Sequence, residues 1–327
     1  MYAGVRVAFD AEDECMQDAW VFPGQGSQWV GMGRDLASED ALARAVFEEA
    51  DAVLGFPLSR IVFEGPEEEL AATRHQQPAL LATSIAYLRV LEARGLLPVP
   101  RVVAGHSLGE YTALVAVGSL TLADALRLVR RRGELMETYG RGGMLAVIGL
   151  DRERLAAIAD EAGVELANEN APNQLTLSGP DEALERAAEL ARGAGARRVV
   201  RLPVNAAFHS RWMRPVADAL ALELANIPIR TPSVPLIACS DARVLTDPED
   251  LRRELVEQIA SPVRWVAVVQ RALDLGVAHF WEIGPGQVLS GLIRRIAPTA
   301  EITTAEQLLR AEDVSLVRQE RVAKEER

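Results

Sequence analysis

The pentapeptide Gly105-His106-Ser107-Leu108-Gly109 sets a serine between two glycines in the pattern Gly-x-Ser-x-Gly. It follows a short apolar run at 102–104 and precedes a long helical stretch. Glycines on both sides permit a sharp strand-to-helix turn that lifts the hydroxyl above a sheet. The first N–H groups of the helix then point at the same spot and suit a developing oxyanion. That is the equipment for covalent acyl chemistry at a serine.

A serine nucleophile needs a base, and the chain has four histidines, His75, His106, His209 and His279. His106 adjoins the serine and reads as packing beneath the turn. His75 falls in a polar turn before Gln76-Gln77-Pro78, and His279 opens a strand. His209, in Ala206-Ala207-Phe208-His209-Ser210 after the strand-like run 199–204, is the candidate base. No carboxylate stands in an obvious turn between Ser107 and His209, unlike the triad of α/β-hydrolases.

Two further groups could serve such a reaction. Gly24-Gln25-Gly26 follows the first strand, either as a tight structural turn or as a way to bring a backbone N–H close to a ligand. Arg130, Arg131 and Arg132 are either a solvated run or hold one inward arginine able to clamp a carboxylate bidentately.

The elements that must position these residues alternate along the chain. Apolar strand-like runs at 19–22, 102–104, 234–239 and 279–283 are separated by helical stretches at about 41–54, 78–95, 247–260 and 263–275. Such alternation indicates α/β architecture with a mostly parallel sheet. Between about 140 and 202 the pattern changes to strand (142–148), helix (151–162), strand (175–179), helix (180–194) and strand (198–202), an insert with its own sheet.

Composition narrows the classes. Thirty-five Lys+Arg stand against 47 Asp+Glu, a net charge of −12, which argues against non-specific nucleic-acid or membrane binding. No apolar run approaches the roughly 20 residues of a membrane helix. Two distant cysteines, Cys15 and Cys239, make neither a disulfide framework nor a metal spacing, which fits a reducing cytoplasm. Met16 just before the first strand makes residues 1–15 either an upstream extension or a flexible arm.

Phe22-Pro23-Gly24-Gln25-Gly26-Ser27-Gln28, Gly105-His106-Ser107-Leu108-Gly109-Glu110-Tyr111, Ala207-Phe208-His209-Ser210 and Glu282-Ile283-Gly284-Pro285-Gly286 stand in this order over roughly 19–297. Together they resemble the malonyl-CoA:acyl carrier protein transacylases and the acyltransferase domains of polyketide synthases. The resemblance implies an α/β-hydrolase-like large subdomain (17–139 and 203–305) and a ferredoxin-like insert (140–202). Flanking them would be an N-terminal extension (1–16) and a C-terminal tail (306–327), with the active site in the cleft between the subdomains.

It implies that Ser107 is acylated, that His209 is the base, and that Gln25 and Leu108 supply the oxyanion-hole N–H groups. Arg132 would pair with the malonyl carboxylate, and Phe208 would narrow the pocket beside the α-carbon. Leu108 also fits the malonyl pattern, where methylmalonyl-selecting members carry glutamine. Gln258 matches a residue kept near the histidine. Asp241 stands where members often carry a histidine-orienting asparagine, and the departure leaves its role open. Arg211-Trp212, and a chain that ends soon after the catalytic unit, resemble discrete polyketide acyltransferases.

The implied reaction moves a malonyl group from CoA through acyl-Ser107 to the phosphopantetheine thiol of an acyl carrier protein, in polyketide biosynthesis. It needs no metal or redox cofactor, and the enzyme would be a cytoplasmic monomer. The alternatives are transfer between two carriers, proofreading hydrolysis of acyl carriers, which tends to go without the arginine, and a silent docking module. Arg197, Arg198 and Arg201, or Arg294 and Arg295, are candidate carrier contacts or plain surface charges.

Overall fold

The computed structural model describes residues 17–310. The expected extension at 1–16 lies outside this range, as does the expected tail from 311 onward. Packing continues past the boundary expected at 305, since Ala305 and Leu309 are both buried.

The larger sheet has six strands: β1 (Asp18–Phe22), β2 (Val102–Gly105), β7 (Leu236–Ile237), β8 (Val244–Leu245), β9 (His279–Glu282) and β10 (Glu301–Thr304). Their order is β10-β9-β1-β2-β7-β8. All neighbours are parallel except the β7–β8 hairpin. A parallel sheet is covered on both faces, and alternate residues of one strand feed different cores. Trp20, Phe22 and Val103 join one cluster, while Ala19, Val21, Val102 and Ala104 join the other.

The smaller sheet is antiparallel, with β3 (Gly143–Ile148), β4 (Glu165–Ala171), β5 (Gln174–Gly179) and β6 (Arg198–Arg201) in the order β4-β5-β3-β6. Helices Arg152–Ala162 and Asp181–Gly193 pack on one face, burying Leu145, Val147, Leu175 and Leu177. The other face presents Met144 and Ala167 to the large core. The sequence pattern predicts no strand at β4. Its buried positions are Ala167, Glu169 and Ala171, so the period-two pattern is present without apolar bulk. Glu169 is held by Arg152 at 2.8 Å. With β4 included the order is β-α-β-β-α-β, the ferredoxin-like arrangement. β4 also reaches the large subdomain: Glu169 N–H donates to the Val263 carbonyl and Val263 N–H to that of Ala167, both at 2.8 Å.

Other boundaries shift as well. The helix expected from 78 begins at Thr73 and carries Pro78 inside it. Proline has no N–H for the carbonyl of Arg74. Arg130 Nη1 donates to that carbonyl instead, at 3.3 Å. His75 is therefore not in a polar turn; it is buried in the first helical turn, its Nδ1 2.9 Å from the Glu69 carbonyl. The strand expected over 234–239 shortens to β7. The helix expected over 247–260 ends at Glu257, with a 3₁₀ turn at Gln258–Ala260. β8 and β10 were not foreseen.

Candidate active site

β1 and β2 are parallel neighbours with Phe22 beside Gly105, so the turns that follow them lie side by side. Main chain packs on main chain there. A Cβ at Gly105 would stand 2.0 Å from the Gly109 carbonyl carbon, one at Gly109 2.1 Å from the Phe22 oxygen, and one at Gly24 2.3 Å from the His106 oxygen. Ser107 takes a left-handed φ of 53°, the strained turn of a nucleophile elbow. The helix Gly109–Ala116 starts immediately after. Among the described residues, neither the Gln25 nor the Leu108 N–H finds an acceptor. The Gln25 side chain is tied back, donating from Nε2 to Gln76 Oε1 at 2.5 Å.

The three consecutive arginines part company on the helix Leu122–Tyr139. Arg130 pairs with Glu134, and Arg131 with Glu223. Arg132 lies among Leu128, Val129, Leu135 and Met136 and is fully buried. It is the arginine that falls on the apolar stripe of the helix, a spacing signal that separates it from its neighbours. Its Nη1 donates to Gln77 Oε1 at 2.8 Å, and its Nη2 to Ser107 Oγ at 3.0 Å and Gln258 Oε1 at 3.2 Å. Among the described residues its Nε has no partner. Burial lowers the pKa of Arg132 from its usual value, while Tyr111 and Glu110 counteract. Gln77, which sequence reasoning did not single out, is itself held by a bond from Nε2 to Met136 Sδ at 3.2 Å.

His209 also has a left-handed backbone, with φ 58°. Its Nδ1 lies 2.8 Å from the Gln258 carbonyl oxygen. A carbonyl only accepts, so Nδ1 carries the proton and Nε2 keeps its lone pair. Burial, with Arg132 next, pushes the imidazole down to about 3, so the ring is neutral at physiological pH. The orienting group is thus a backbone carbonyl. Asp241, expected in a supporting role, does not touch the histidine. It is exposed and bonded to the N–H and guanidinium of Arg243, because its side chain leaves the β7–β8 turn toward solvent. Gln258 does sit at the centre of the site. Its carbonyl meets His209, its Oε1 meets Arg132, and its Nε2 donates to the Ser107 carbonyl at 3.3 Å and Glu110 Oε2 at 2.6 Å.

The remaining histidines make no hydrogen bond to these groups, although His106 borders the space above the elbow and does not pack beneath the turn as expected. His106 Nε2 is 2.8 Å from Asn170 Oδ1, with its ring beside Trp265. His279 stacks on Trp281 and meets Thr303 Oγ1 at 2.8 Å.

A cavity of about 610 Å³ lies over the elbow, between the sheets. Gln25, Ser107, Phe208 and His209 line it together with Met144, Leu202 and Val204. Leu108, Arg132 and Gln258 form the layer behind. Among the described residues, one set has metal-ligand atoms close together, Glu110, Cys239 and Glu254. Its four carboxylate oxygens already accept from Cys239 N–H, Gln258 Nε2, and the Ser240 N–H and hydroxyl. No helix among the described residues is long and apolar enough to cross a membrane.

Residues 19–315 match the acyl transferase domain family. The chain belongs to this family. A malonyl CoA-acyl carrier protein transacylase of Bacillus subtilis is 44% identical over 286 residues, 85% of this chain and 90% of the relative. That of Escherichia coli K12 is 44% identical over 290 residues, 86% of this chain and 94% of the relative. The polyketide biosynthesis protein ThaF of Burkholderia thailandensis is 43% identical over 300 residues, 90% of this chain and 25% of that much longer protein. Among solved structures, an acyl carrier protein S-malonyltransferase from Vibrio cholerae superposes with a TM-score of 0.85 at 43% identity, covering 88% of this chain and 96% of that one. A malonyl-transacylase in complex with a type II polyketide synthase acyl carrier protein gives 0.86 at 42% identity, with coverages of 88% and 95%. The α/β fold with two sheets is the fold of this family.

Proposed function

We propose that this acyltransferase takes a malonyl group from CoA onto Ser107 and delivers it to the phosphopantetheine thiol of an acyl carrier protein. The observation that carries the reading is a fully buried arginine with a donor 3.0 Å from the hydroxyl of the elbow serine. A buried guanidinium beside a nucleophile suits an acyl group that brings its own carboxylate.

In the first half-reaction His209 Nε2 takes the proton from Ser107 Oγ as the oxygen attacks the thioester carbonyl. The N–H groups of Gln25 and Leu108 receive the oxyanion, and CoA leaves as the thiol, protonated from His209. In the second, His209 deprotonates the carrier thiol, which attacks malonyl-Ser107 and regenerates the serine. Arg132 holds the malonyl carboxylate in both halves. In the free enzyme its Nη2 is bonded to Ser107 Oγ, and an incoming carboxylate takes over that donor and releases the serine toward His209. Phe208 closes the cavity wall beside the α-carbon and disfavours a branched acyl unit. The reaction draws on these side chains and on no metal or redox group.

The polyketide setting is supported by two relatives, ThaF and the transacylase solved with a polyketide carrier protein. Hydrolysis of acyl carriers is the less favoured reading, because it gives Arg132 no task.

The test is intact-protein mass after mixing with malonyl-CoA, methylmalonyl-CoA and acetyl-CoA separately. A malonyl adduct that the Ser107→Ala protein lacks is expected. A folded protein that gains no adduct from any of the three would overturn the proposal.

A further inference from the structure

A carboxyl group with no task in the chemistry above lies directly behind the site. Glu110 is on the first turn of the helix that starts at the elbow and is fully buried. Its Oε1 accepts from the Cys239 N–H and its Oε2 from Gln258 Nε2, both at 2.6 Å. Cys239 follows β7, so Glu110 ties the end of that strand to the elbow helix. The backbone N–H of Cys239 can only donate, so Oε1 accepts from it.

The consequence runs through the Gln258 amide. Its two ends have nearly the same shape and interchange by a half-turn about the last side-chain bond. One end faces Glu110, the other faces the guanidinium of Arg132. The guanidinium of Arg132 has only donors, so the amide oxygen must face it and the NH2 end faces Glu110. In the reversed sense an NH2 group would meet the guanidinium, donor against donor, and an amide oxygen would meet the Glu110 oxygen. Either contact would leave buried polar groups unpaired. The amide belongs to the residue whose main-chain carbonyl orients His209. The sense of one amide is therefore coupled to the carboxylate clamp and to the base. Burial, with the Glu254 carboxylate next, raises the Glu110 pKa well above its usual value, and the bonds from Cys239 and Gln258 counteract.

We propose that Glu110 is a positioning residue for acyl selectivity, fixing the sense of the Gln258 amide and through it the pose of Arg132. This rests on the reading of Arg132 as the malonyl clamp. Glu110 touches neither the substrate nor Ser107 Oγ, so its effect is separable from that of the catalytic pair.

The test compares rates of Ser107 loading by malonyl-CoA and by acetyl-CoA, which lacks the distal carboxylate, in wild-type protein and in Glu110→Gln. The substitution keeps the shape but offers an NH2 group, which lets the Gln258 amide turn. Malonyl loading is expected to fall about tenfold or more, the worth of one hydrogen bond to a charged group, with acetyl loading falling less. A malonyl-to-acetyl ratio unchanged from wild type in a folded Glu110→Gln protein overturns the inference. Should that protein fail to fold, Gln258→Leu, which keeps the carbonyl on His209 and deletes the amide, must show the same drop in ratio. An unchanged ratio there also overturns it. Where both variants fold, Glu110→Gln should add nothing to Gln258→Leu, and additive losses would show that Glu110 acts by another route. Wild-type protein that takes no malonyl group would remove the parent reading, and this inference with it.

Discussion

The two walls of the cavity are built on different principles. One is polar and tied together: Ser107 and His209 line the space, Arg132, Gln77 and Gln258 stand behind them, and bonds of 2.8–3.2 Å link these buried residues. The wall from the small sheet and the segment after it is mainly apolar, with Met144, Leu202, Val204 and Phe208 facing the space beside Asn168 and Asn205. Near it, the Ser178 hydroxyl donates to the Phe208 carbonyl at 2.6 Å. A buried polar group needs all its partners in place, so the first wall tolerates almost no change. An apolar wall asks only for volume, so the second can be recut. In the proposed reaction, chemistry resides in the first wall and the size of the acyl group is set by the second.

The sharpest way to break this contrast is Arg132→Ala. It strips the polar wall of its charge, and malonyl loading should fall about 10²-fold or more, in keeping with the loss of one partner of a buried charge pair. Acetyl loading should fall far less. Equal losses would mean that Arg132 only supports the fold. Rates of adduct formation by mass spectrometry decide it.

Phe208→Ser acts on the other wall. It should raise methylmalonyl loading relative to malonyl about tenfold, the usual worth of one methyl group in a pocket, with the malonyl rate little changed. If malonyl loading collapses instead, the second wall is not as independent as its apolar lining indicates.

A subtler consequence concerns pH. His209 is held down to about 3, against about 6.5 for an ordinary imidazole. The base is thus already neutral throughout the range in which a free histidine titrates, and the loading rate should show no acidic limb near pH 6.5. For stability the sign follows from proton uptake: between those two values the unfolded chain binds a proton on this residue and the folded chain does not. The contribution of His209 to stability is therefore complete above about 6.5 and is lost as pH falls toward 3. A pH profile of single-turnover loading with an inflection near 6.5 would show that the imidazole is less secluded than its surroundings imply.

The smallest effect belongs to Asp241→Ala. An exposed carboxylate paired with Arg243 should leave loading unchanged and stability within about 0.5 kcal/mol, as read by thermal unfolding. A loss of activity there would return Asp241 to the polar wall.

How much of this was legible in the sequence follows the same division. The elbow could be read because glycines that admit no Cβ mark it, and His209 because its neighbours form a recognisable run. Arg132 could have been separated from Arg130 and Arg131 by its place on an apolar stripe. β4 was invisible because its buried positions hold Ala and Glu, which carry little strand signal. Gln77 and Glu110 gave no sign, because a polar residue in a helix reads as solvent-facing until the partners that bury it are known. The start of the long helix before Pro78 was missed for a similar reason, since the guanidinium that satisfies the bare Arg74 carbonyl comes from a distant part of the chain. The role of Asp241 stayed open because position along the chain does not fix which way a turn side chain leaves the sheet.

The carbonyl that orients His209 belongs to the main chain, and this has a genetic meaning. An orienting carboxylate can be erased by a single codon change, whereas every residue at position 258 supplies the same oxygen. The tautomer of the base is thereby shielded from point mutation. Inheritance of the proposed base then depends on the path of the backbone through 258–260 more than on any letter written there.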